Sequence, residues 1–382
     1  MADRPRRLVV AGLTTRALAV SAARAGWEVT AVDAFGDLDL RACARVIALP
    51  RGDHGYDPSA AAEAAREVPA DAAAYTSNLE NYPSAVAALC AGRRLLGNSR
   101  PVLERVRDPL AVMRALRRQG FDAPACRAGP PRTERTGRWL LKPRRSGGGH
   151  GTSAWRPGLP VRRHQYLQQR IPGIPGSVVF LADGRRALTL GLSRQIVGQR
   201  AFGARGFRYC GSLMGRGLFG AEPDLLRRAA EIADTVTREF GLVGLNGVDF
   251  IARAGVPWPI EVNPRYSSSM ELLERGSATS LFAVHRDACM GRLPKAPAPS
   301  GPGVLGKAIV FARRDVITGD TRSWLRDPAI ADVPHPGERI RRGRPVCTVF
   351  AAAMNADACL RALAAKATAI YRAVEPAARG AA

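Results

Sequence analysis

Lysine is almost missing from this chain. Of 57 basic residues only Lys142, Lys295, Lys307 and Lys366 are lysines, and arginine supplies the rest. Long apolar runs are missing too. No stretch of about 18 apolar residues occurs, so no transmembrane helix is expected. The apolar segment Leu8–Leu13 follows the first arginines but is short and ends in Thr14, Thr15 and Arg16, which fits a buried strand better than a signal peptide. The expected location is therefore cytoplasmic. Cysteine occurs seven times, always singly and never as C-x-x-C, and the five histidines show no ligand spacing. Both patterns argue against a disulfide framework or a zinc site and for reduced thiols. No G-x-G-x-x-G is found, since Gly12 stands alone after the first strand, so a dinucleotide site has little support.

What is present is ordinary for a soluble globular protein. The chain has 382 residues, 46% of them hydrophobic and 24% charged, enough for two or three domains and a large core. The net charge of +24 calls first for a nucleic-acid reading. Yet the arginines are spread along the chain, often in pairs, with no aromatic-rich or block-like patch. We therefore expect no specific nucleic-acid partner and no membrane partner, while non-specific adhesion to polyanions fits the charge.

Taken in order, Leu8–Gly12 predicts a strand. Thr14 or Thr15 caps a helix with Leu18 and Ala22 inward and Gly26 as its stop, and Trp27–Val32 is a second strand ending in Asp33. This opening implies a parallel, Rossmann-like layer. Asp33 is expected to be an exposed acid at the strand end. The segment continues through a helix around Ala60–Val68, a strand near Ala72–Tyr75 and a helix from Pro83 to Cys90. The polar loop Thr76–Asn81 lies at a strand's carboxyl end, where such sheets bind ligands; Glu80 is its better site candidate, and Asn81 either caps the next helix or touches a ligand. Asp108 and Pro109 read as N-cap and first-turn proline of a helix carrying Leu110, Met113 and Leu116 inward. Pro124 to Pro131 reads as a connector and Pro294 to Gly303 as a linker. Ser177–Leu181 and Ala187–Leu192 are partner strands, and Ala201–Ser212, with Arg205, Arg208 and Tyr209, reads as a loop able to close over an anion. Pro223–Phe240 has the spacing of an amphipathic helix. Val304–Ala312 and Pro345–Ala351 are strands, and Asn355 caps a last helix.

Two stretches carry chemistry. In the first, Trp139 to Gly151, a strand delivers Lys142 inward and the glycine-rich run Gly147, Gly148, Gly149, His150, Gly151 follows at once. Glycines let successive backbone N–H groups converge on a phosphate, although no Gly-Lys-Ser/Thr closes a P-loop here. A compact ammonium fits among phosphate oxygens where a planar guanidinium does not, and this arginine-rich chain keeps a lysine at that place. In the second, Leu245–Ile251 and Trp258–Asn263 read as an antiparallel hairpin. A turn centred on Gly255 puts Asp249 opposite Glu261, while Glu261 and Asn263 share one face. Facing carboxylates repel one another, so a cation belongs between them. All-oxygen ligands suit Mg²⁺ bound with substrate phosphates, and Arg265 is placed to clamp a phosphoryl oxygen. The alternative is an edge hairpin with solvated acids.

The order of these parts, closing in Ile260-Glu-Val-Asn-Pro-Arg265 after Gly247-Val-Asp-Phe250, resembles the ATP-grasp superfamily. The resemblance implies an α/β protein of the ATP-grasp fold. It would have a Rossmann-like pre-domain over 1–98, a nucleotide-binding domain of two subdomains over 99–293 with a hinge near 168–171, and a small closing α/β subdomain over 304–382. It implies that Asp249, Glu261 and Asn263 hold Mg²⁺ or Mn²⁺ on ATP, and that Lys142 and Gly147, Gly148, Gly149 and Gly151 contact its phosphates. Gln168, Gln169, Arg170 and Ile171 would form the adenine-facing hinge, and Arg265 would steady the transferring phosphoryl group. Substrate contacts fall to Glu80, Asn81, Arg205 and Tyr209. The implied activity is ligation of a small-molecule carboxylate to an amine through an acyl phosphate, releasing ADP and phosphate, with a homodimer as a possible assembly. Two positions depart from the pattern: Pro109 stands where many members carry a nucleotide-binding lysine, and Ile174-Pro175-Gly176 occupies the zone of a ribose-binding acid.

The segments Leu79–Pro83, Tyr209–Ser212, Asp332–Gly337 and Pro345–Phe350 are similar to a branch linked to one-carbon coenzyme biosynthesis of the tetrahydromethanopterin and methanofuran type. That likeness implies an amino-acid ligation such as glutamate to tyramine. The closing subdomain also resembles carboxylases that phosphorylate bicarbonate. A non-catalytic basic binding protein with a nucleotide fold is the reading from a different class.

Overall fold

The computed structural model describes residues 6–49, 56–130, 138–220, 222–277, 279–296, 301 and 303–375. Five short strands, β1 (Arg7–Ala11), β2 (Glu28–Asp33), β3 (Arg45–Ala48), β4 (Ala72–Tyr75) and β5 (Arg94–Leu96), form a fully parallel sheet in the order β3-β2-β1-β4-β5. Period-two alternation sends Leu8 and Val10 to one face and Val9 and Ala11 to the other, and both faces are buried. The strand order reverses between β1 and β4, so Leu13–Thr14 and Thr76–Asn78 diverge there and leave a crevice at the carboxyl ends.

A small antiparallel sheet, β6 (Cys126–Arg127), β7 (Trp139–Pro143), β8 (Ser153–Ala154) and β9 (Gln165–Gln169), runs in the order β6-β9-β7-β8. Opposite it stands an eight-stranded sheet. Its strands are β10 (Ile174–Asp183), β11 (Ala187–Val197), β12 (Tyr209–Gly215), β13 (Val243–Arg253), β14 (Val256–Asn263) and β15 (Val304–Phe311), together with β17 (Ile330–Ala331) and β19 (Pro345–Ala353). Their order is β14-β13-β10-β11-β12-β15-β19-β17, so the C-terminal strands extend the sheet that carries the hairpin. Two further strands, β16 (Val316–Ile317) and β18 (Arg339–Ile340), pair separately. The helix Glu222–Phe240 lays Leu225, Ala229, Ile232, Val236 and Phe240 on Val178, Phe180, Val248 and Phe250 of the large sheet, as its spacing predicts. Each fully buried Leu, Ile, Val or Phe among these contributes about 1.5–3 kcal/mol. Val179, Leu181 and Leu245 on the opposite face share a core with the parallel sheet.

Several local expectations change. Asp33 is buried, not exposed: it accepts hydrogen bonds from Thr15 N (2.6 Å), Thr15 Oγ1 (2.8 Å), Phe35 N (2.7 Å) and Gly36 N (2.9 Å). Thr15 occupies the N-cap position of the helix Arg16–Arg24, but its hydroxyl serves Asp33 and makes no cap bond. Asp108 caps the helix Pro109–Arg118 through Leu110 N (2.9 Å), as expected; Val112, Met113, Ala115 and Leu116 are its buried residues, and Leu110 is half-buried. Strands β10 and β11 run longer than predicted. Tyr209–Ser212 belongs to β12 rather than to a loop, because its glycines admit close strand pairing; a Cβ on Gly211 would lie 2.2 Å from the Lys307 carbonyl oxygen. The connector Pro124–Pro131 and the linker Pro294–Gly303 lie partly outside the described residues.

Candidate active site

The hairpin forms as its turn requires. Ala254 and Gly255 both take positive φ (49° and 74°), the two-residue turn that matches strand twist, and the register sets Asp249 directly opposite Glu261. A bulge follows: Phe250 pairs with Pro259, which leaves Ile260 unopposed. The Ile260 carbonyl then accepts the Gln168 Nε2 hydrogen bond (2.9 Å) from the small sheet. β14 is an edge strand, as in the alternative reading, but its acids are half-buried against a cleft and not solvated.

The two acids differ in their surroundings. Burial and the charge of Glu261 raise the Asp249 carboxyl to about 6, against hydrogen bonds from the side chains of Ser177, Gln195 and Asn263. Burial works in the same direction on Glu261, but Arg107, Lys142 and Arg265 outweigh it and hold that carboxyl below its usual range. Arg107 is the cation that the sequence reading did not find. Its Nη1 donates to Glu261 Oε1 (2.8 Å) and to the Val262 carbonyl (2.7 Å); Nη2 donates to Asn81 Oδ1 (2.7 Å) and the Ser146 carbonyl (3.2 Å). One guanidinium thus joins the pre-domain, the glycine-rich loop and the hairpin. Its only signal in the sequence is its place beside the Asp108–Pro109 cap, one arginine among many. Pro109, at the place where the resemblance implies a lysine, lines the cleft two residues away.

Asn81 corrects an expectation. It ends a 3-10 turn (Leu79–Asn81), bonds to the Asn78 side chain and braces Arg107, while Tyr82 occupies the N-cap position of the helix Pro83–Leu89. Glu80 is buried and pairs with Arg265 Nε (2.8 Å), and its second oxygen, Oε2, has no hydrogen-bond partner among the described residues. Arg265 also donates to Asn263 Oδ1 (3.3 Å), so acid, arginine and amide form one row beside the hairpin.

From the small sheet, Lys142 Nζ donates to Gln168 Oε1 (3.1 Å) and lies 5.8 Å from the Tyr166 ring centre. Burial favours its neutral form, but Tyr166 and Glu261 overcome this and keep the ammonium charged. Gln168 is therefore spent on the scaffold. Gln169 N and Arg170 N donate to the carbonyls of Ala125 (2.7 Å) and Arg138 (2.8 Å), leaving the Ile171 N–H without a hydrogen-bond partner among the described residues. The glycine-rich loop folds back toward the large sheet. Tyr209 N donates to the Gly148 carbonyl (3.0 Å), and a Cβ on Gly149, whose φ is +76°, would lie 1.9 Å from the Phe207 carbonyl oxygen.

Lys142, Gly147, Gly148, Gly149, Gly151, Gln168, Gln169, Arg170, Ile171, Tyr209, Asp249, Glu261, Asn263 and Arg265 line one cleft of about 1100 Å³ between the small and large sheets, whereas Glu80 and Asn81, expected to touch substrate, do not line it. Arg205 does not line it either. It lines a separate cavity of about 570 Å³ with Arg200, Arg313 and Arg342. The parallel sheet also sends Arg16 and Asp37 into the cleft, and the C-terminal strands send Lys307 and Asp332, none of which the sequence reading singled out. Among the described residues no group of three or more His, Cys, Asp or Glu is spaced to hold a metal ion; Asp249 and Glu261 make a pair that Asn263 completes with an amide oxygen. No described helix is long and apolar enough to cross a membrane.

A family model described as an ATP-grasp domain matches residues 106–269. An uncharacterized protein of Methanocaldococcus jannaschii is 29% identical over 34% of this chain and 31% of its own length. A formate-dependent phosphoribosylglycinamide formyltransferase of a Janthinobacterium species is 33% identical over 32% of this chain and 29% of its own. The chain thus spans about a third of the length of these curated relatives. Among solved structures, the biotin carboxylase domain of Hydrogenobacter thermophilus 2-oxoglutarate carboxylase, a dimer bound to MgADP, ADP and bicarbonate, superposes with a TM-score of 0.70 at 14% identity, covering 97% of this chain and 90% of that one. Residues 106–269 are thus similar to an ATP-grasp domain, and the chain carries the ATP-grasp fold.

Proposed function

We propose that the protein is an ATP- and Mg²⁺-dependent ligase that activates a carboxylate as an acyl phosphate and joins it to an amine, giving an amide, ADP and phosphate. The observation that carries this reading is Asp249 facing Glu261 across the hairpin, with Asn263 and Arg265 beside them and Lys142 and the glycine-rich loop in the same cleft. The donors are all oxygen, and a hard divalent cation would relieve the burial of Asp249 and its repulsion by Glu261. Asp249, Glu261 and Asn263 would hold Mg²⁺ or Mn²⁺, which supplies charge neutralisation on phosphate oxygens when bound.

The chain's own groups serve positioning and electrostatics, the chief needs of phosphoryl transfer. Lys142 brings a charged ammonium to the cleft on a rigid strand. The loop at Gly147–Gly151 offers backbone N–H groups without side chains in their way. Arg265, held in plane by Glu80 and Asn263, aims a guanidinium at the same region. In the reaction a carboxylate oxygen bonds to the terminal phosphorus as ADP leaves. The neutral amine nitrogen then bonds to the acyl carbon as phosphate leaves, and the proton lost by nitrogen passes to that phosphate or to water.

ADP release measured against a panel of carboxylates and amines tests this. Turnover is expected only with a matching pair, and Asp249→Asn or Glu261→Gln should lower it by roughly 100-fold or more with folding retained. The Hydrogenobacter neighbour favours one second reading, a bicarbonate-using carboxylase. Bicarbonate-dependent ADP release without any amine would establish it. Polyanion binding with a steep salt dependence, no nucleotide turnover and indifference to both substitutions would instead mark a non-catalytic basic protein.

A further inference from the structure

Where β1 and β2 deliver their carboxyl ends to the cleft, acids gather in a chain that elsewhere carries a surplus of cations. Most of these acids are matched. Asp33 is held by Thr15 and two backbone amides. Asp39 accepts from Asp332 N (2.8 Å) and Val333 N (3.0 Å). Asp332 takes Arg16 Nε (2.9 Å) and the Thr348 hydroxyl (2.5 Å), and Glu338 takes His335 N (3.1 Å). The two nearby cations are already committed, Arg16 to Glu271 and Asp332, and Lys307 to Glu271 (2.7 Å).

Asp37 is the exception. It precedes the short helix Leu38–Arg41 but makes no cap bond, and no described residue gives its carboxylate a hydrogen bond or an ion pair. It is only 6% exposed, yet it lines the cleft. The charges around it, on Asp332, Asp33, Asp39 and Glu338, all have its own sign. Burial and these like charges push the Asp37 carboxyl well above its usual range, so it ionises only when a cation completes it. An organic cation suits this corner, because apolar side chains line the cleft beside the acids. Leu13, Ala17, Phe35 and Pro334 line the same cleft and offer apolar surface for a hydrocarbon body.

We propose that this corner is a subsite for the ammonium group of a primary-amine substrate, with Asp37 as its anionic contact and Glu338 beside it. A primary ammonium carries three donors and no acceptor, which complements an acid-lined wall. Naming that cation as the amine substrate rests on the ligase reading, whereas affinity for an ammonium group does not.

Binding of butylammonium to the full chain, read by ligand-observed NMR and by thermal shift, tests the subsite, with 1-butanol as the neutral twin and sodium chloride at matched ionic strength as the charge control. Butylammonium is expected to bind and the two controls are not. Asp37→Asn should weaken binding by about tenfold or more, and Glu338→Gln by less. If Asp37→Asn fails to fold, Glu338→Gln and the neutral twin still decide. Equal binding of 1-butanol, or unchanged butylammonium affinity in Asp37→Asn or, failing that, in Glu338→Gln, would overturn the proposal. The Asp249→Asn variant separates the two readings: retained butylammonium binding there supports the subsite even if no ligase turnover is ever found. Loss of turnover partners with intact binding would sink the ligase reading alone.

Discussion

Arg107 occupies the position on which the charge balance of the cleft turns. Its side chain is mostly buried, and it answers Glu261 on the hairpin while bonding to two segments distant in sequence. Removing it would leave Glu261 with less positive charge nearby and Asn81 without its donor. Arg107→Ala should cost about 1–3 kcal/mol of stability, read as a lowered Tm, and should raise the KM for ATP. Arg107→Lys should recover little of either, because an ammonium cannot reach Glu261, Val262, Asn81 and Ser146 from one fixed plane. Sequence reading had no means to find this residue. The pairing of Asp249 with Glu261 was legible because a two-residue turn fixes the register of a hairpin. The role of Arg107 depends on three segments meeting in space, and arginine is too common in this chain for its presence to signal anything.

At the scale of elements, the glycine-rich loop shows how far composition can be trusted. Its glycines marked it as special, yet their roles differ. Gly149 has both a left-handed φ and the Phe207 carbonyl where a Cβ would go, whereas nothing lies within 4 Å of a Cβ on Gly147. Gly149→Ala should therefore push the loop off the Phe207–Tyr209 segment, cost about 1–2 kcal/mol and weaken nucleotide binding, while Gly147→Ala should be tolerated. Equal behaviour of the two variants in a nucleotide titration would contradict this. The helix Leu281–Cys289 makes a second case. Its His285 is buried, accepts Leu245 N at Nδ1 (2.8 Å) and lies 3.2 Å from the Leu96 carbonyl at Nε2. Burial pushes its pKa down to about 4, against the hydrogen bond to Leu96. Below the ordinary histidine range the unfolded chain takes up a proton that the folded chain refuses. The stability contributed by neutral His285 is thus complete above about pH 6.5 and lost as pH falls toward 4, a change of up to ~3 kcal/mol. Denaturation midpoints across that window should show the slope, and His285→Gln should flatten it. The long helix Glu222–Phe240 was legible from its periodicity, but the start of β12 was not, because glycines needed for close strand pairing look the same in sequence as glycines needed for a loop.

Across the whole molecule, one buried charge network ties the first helix to the far end of the chain. Arg16 bonds to Glu271 and to Asp332, residues 255 and 316 positions away, and Lys307 completes it. Burial works to raise the Glu271 carboxyl, but Arg16 and Lys307 hold it well below the usual range. Arg16→Ala would leave buried Glu271 and half-buried Asp332 with less positive charge nearby and should cost about 3–5 kcal/mol. A Tm within a degree of the parent would show that the network is not structural. Such long-range pairs are invisible to local pattern, which is why the parallel sheet was foreseen from its strands while its charged seam with the C-terminal strands was not. The scarcity of lysine has a practical side. Lys295 is exposed and Lys366 half-buried, whereas Lys142 and Lys307 face the cleft. An acylating reagent that spares guanidinium groups would find only a few side chains to modify, so counting added mass on intact protein with and without nucleotide would report directly whether the cleft is filled.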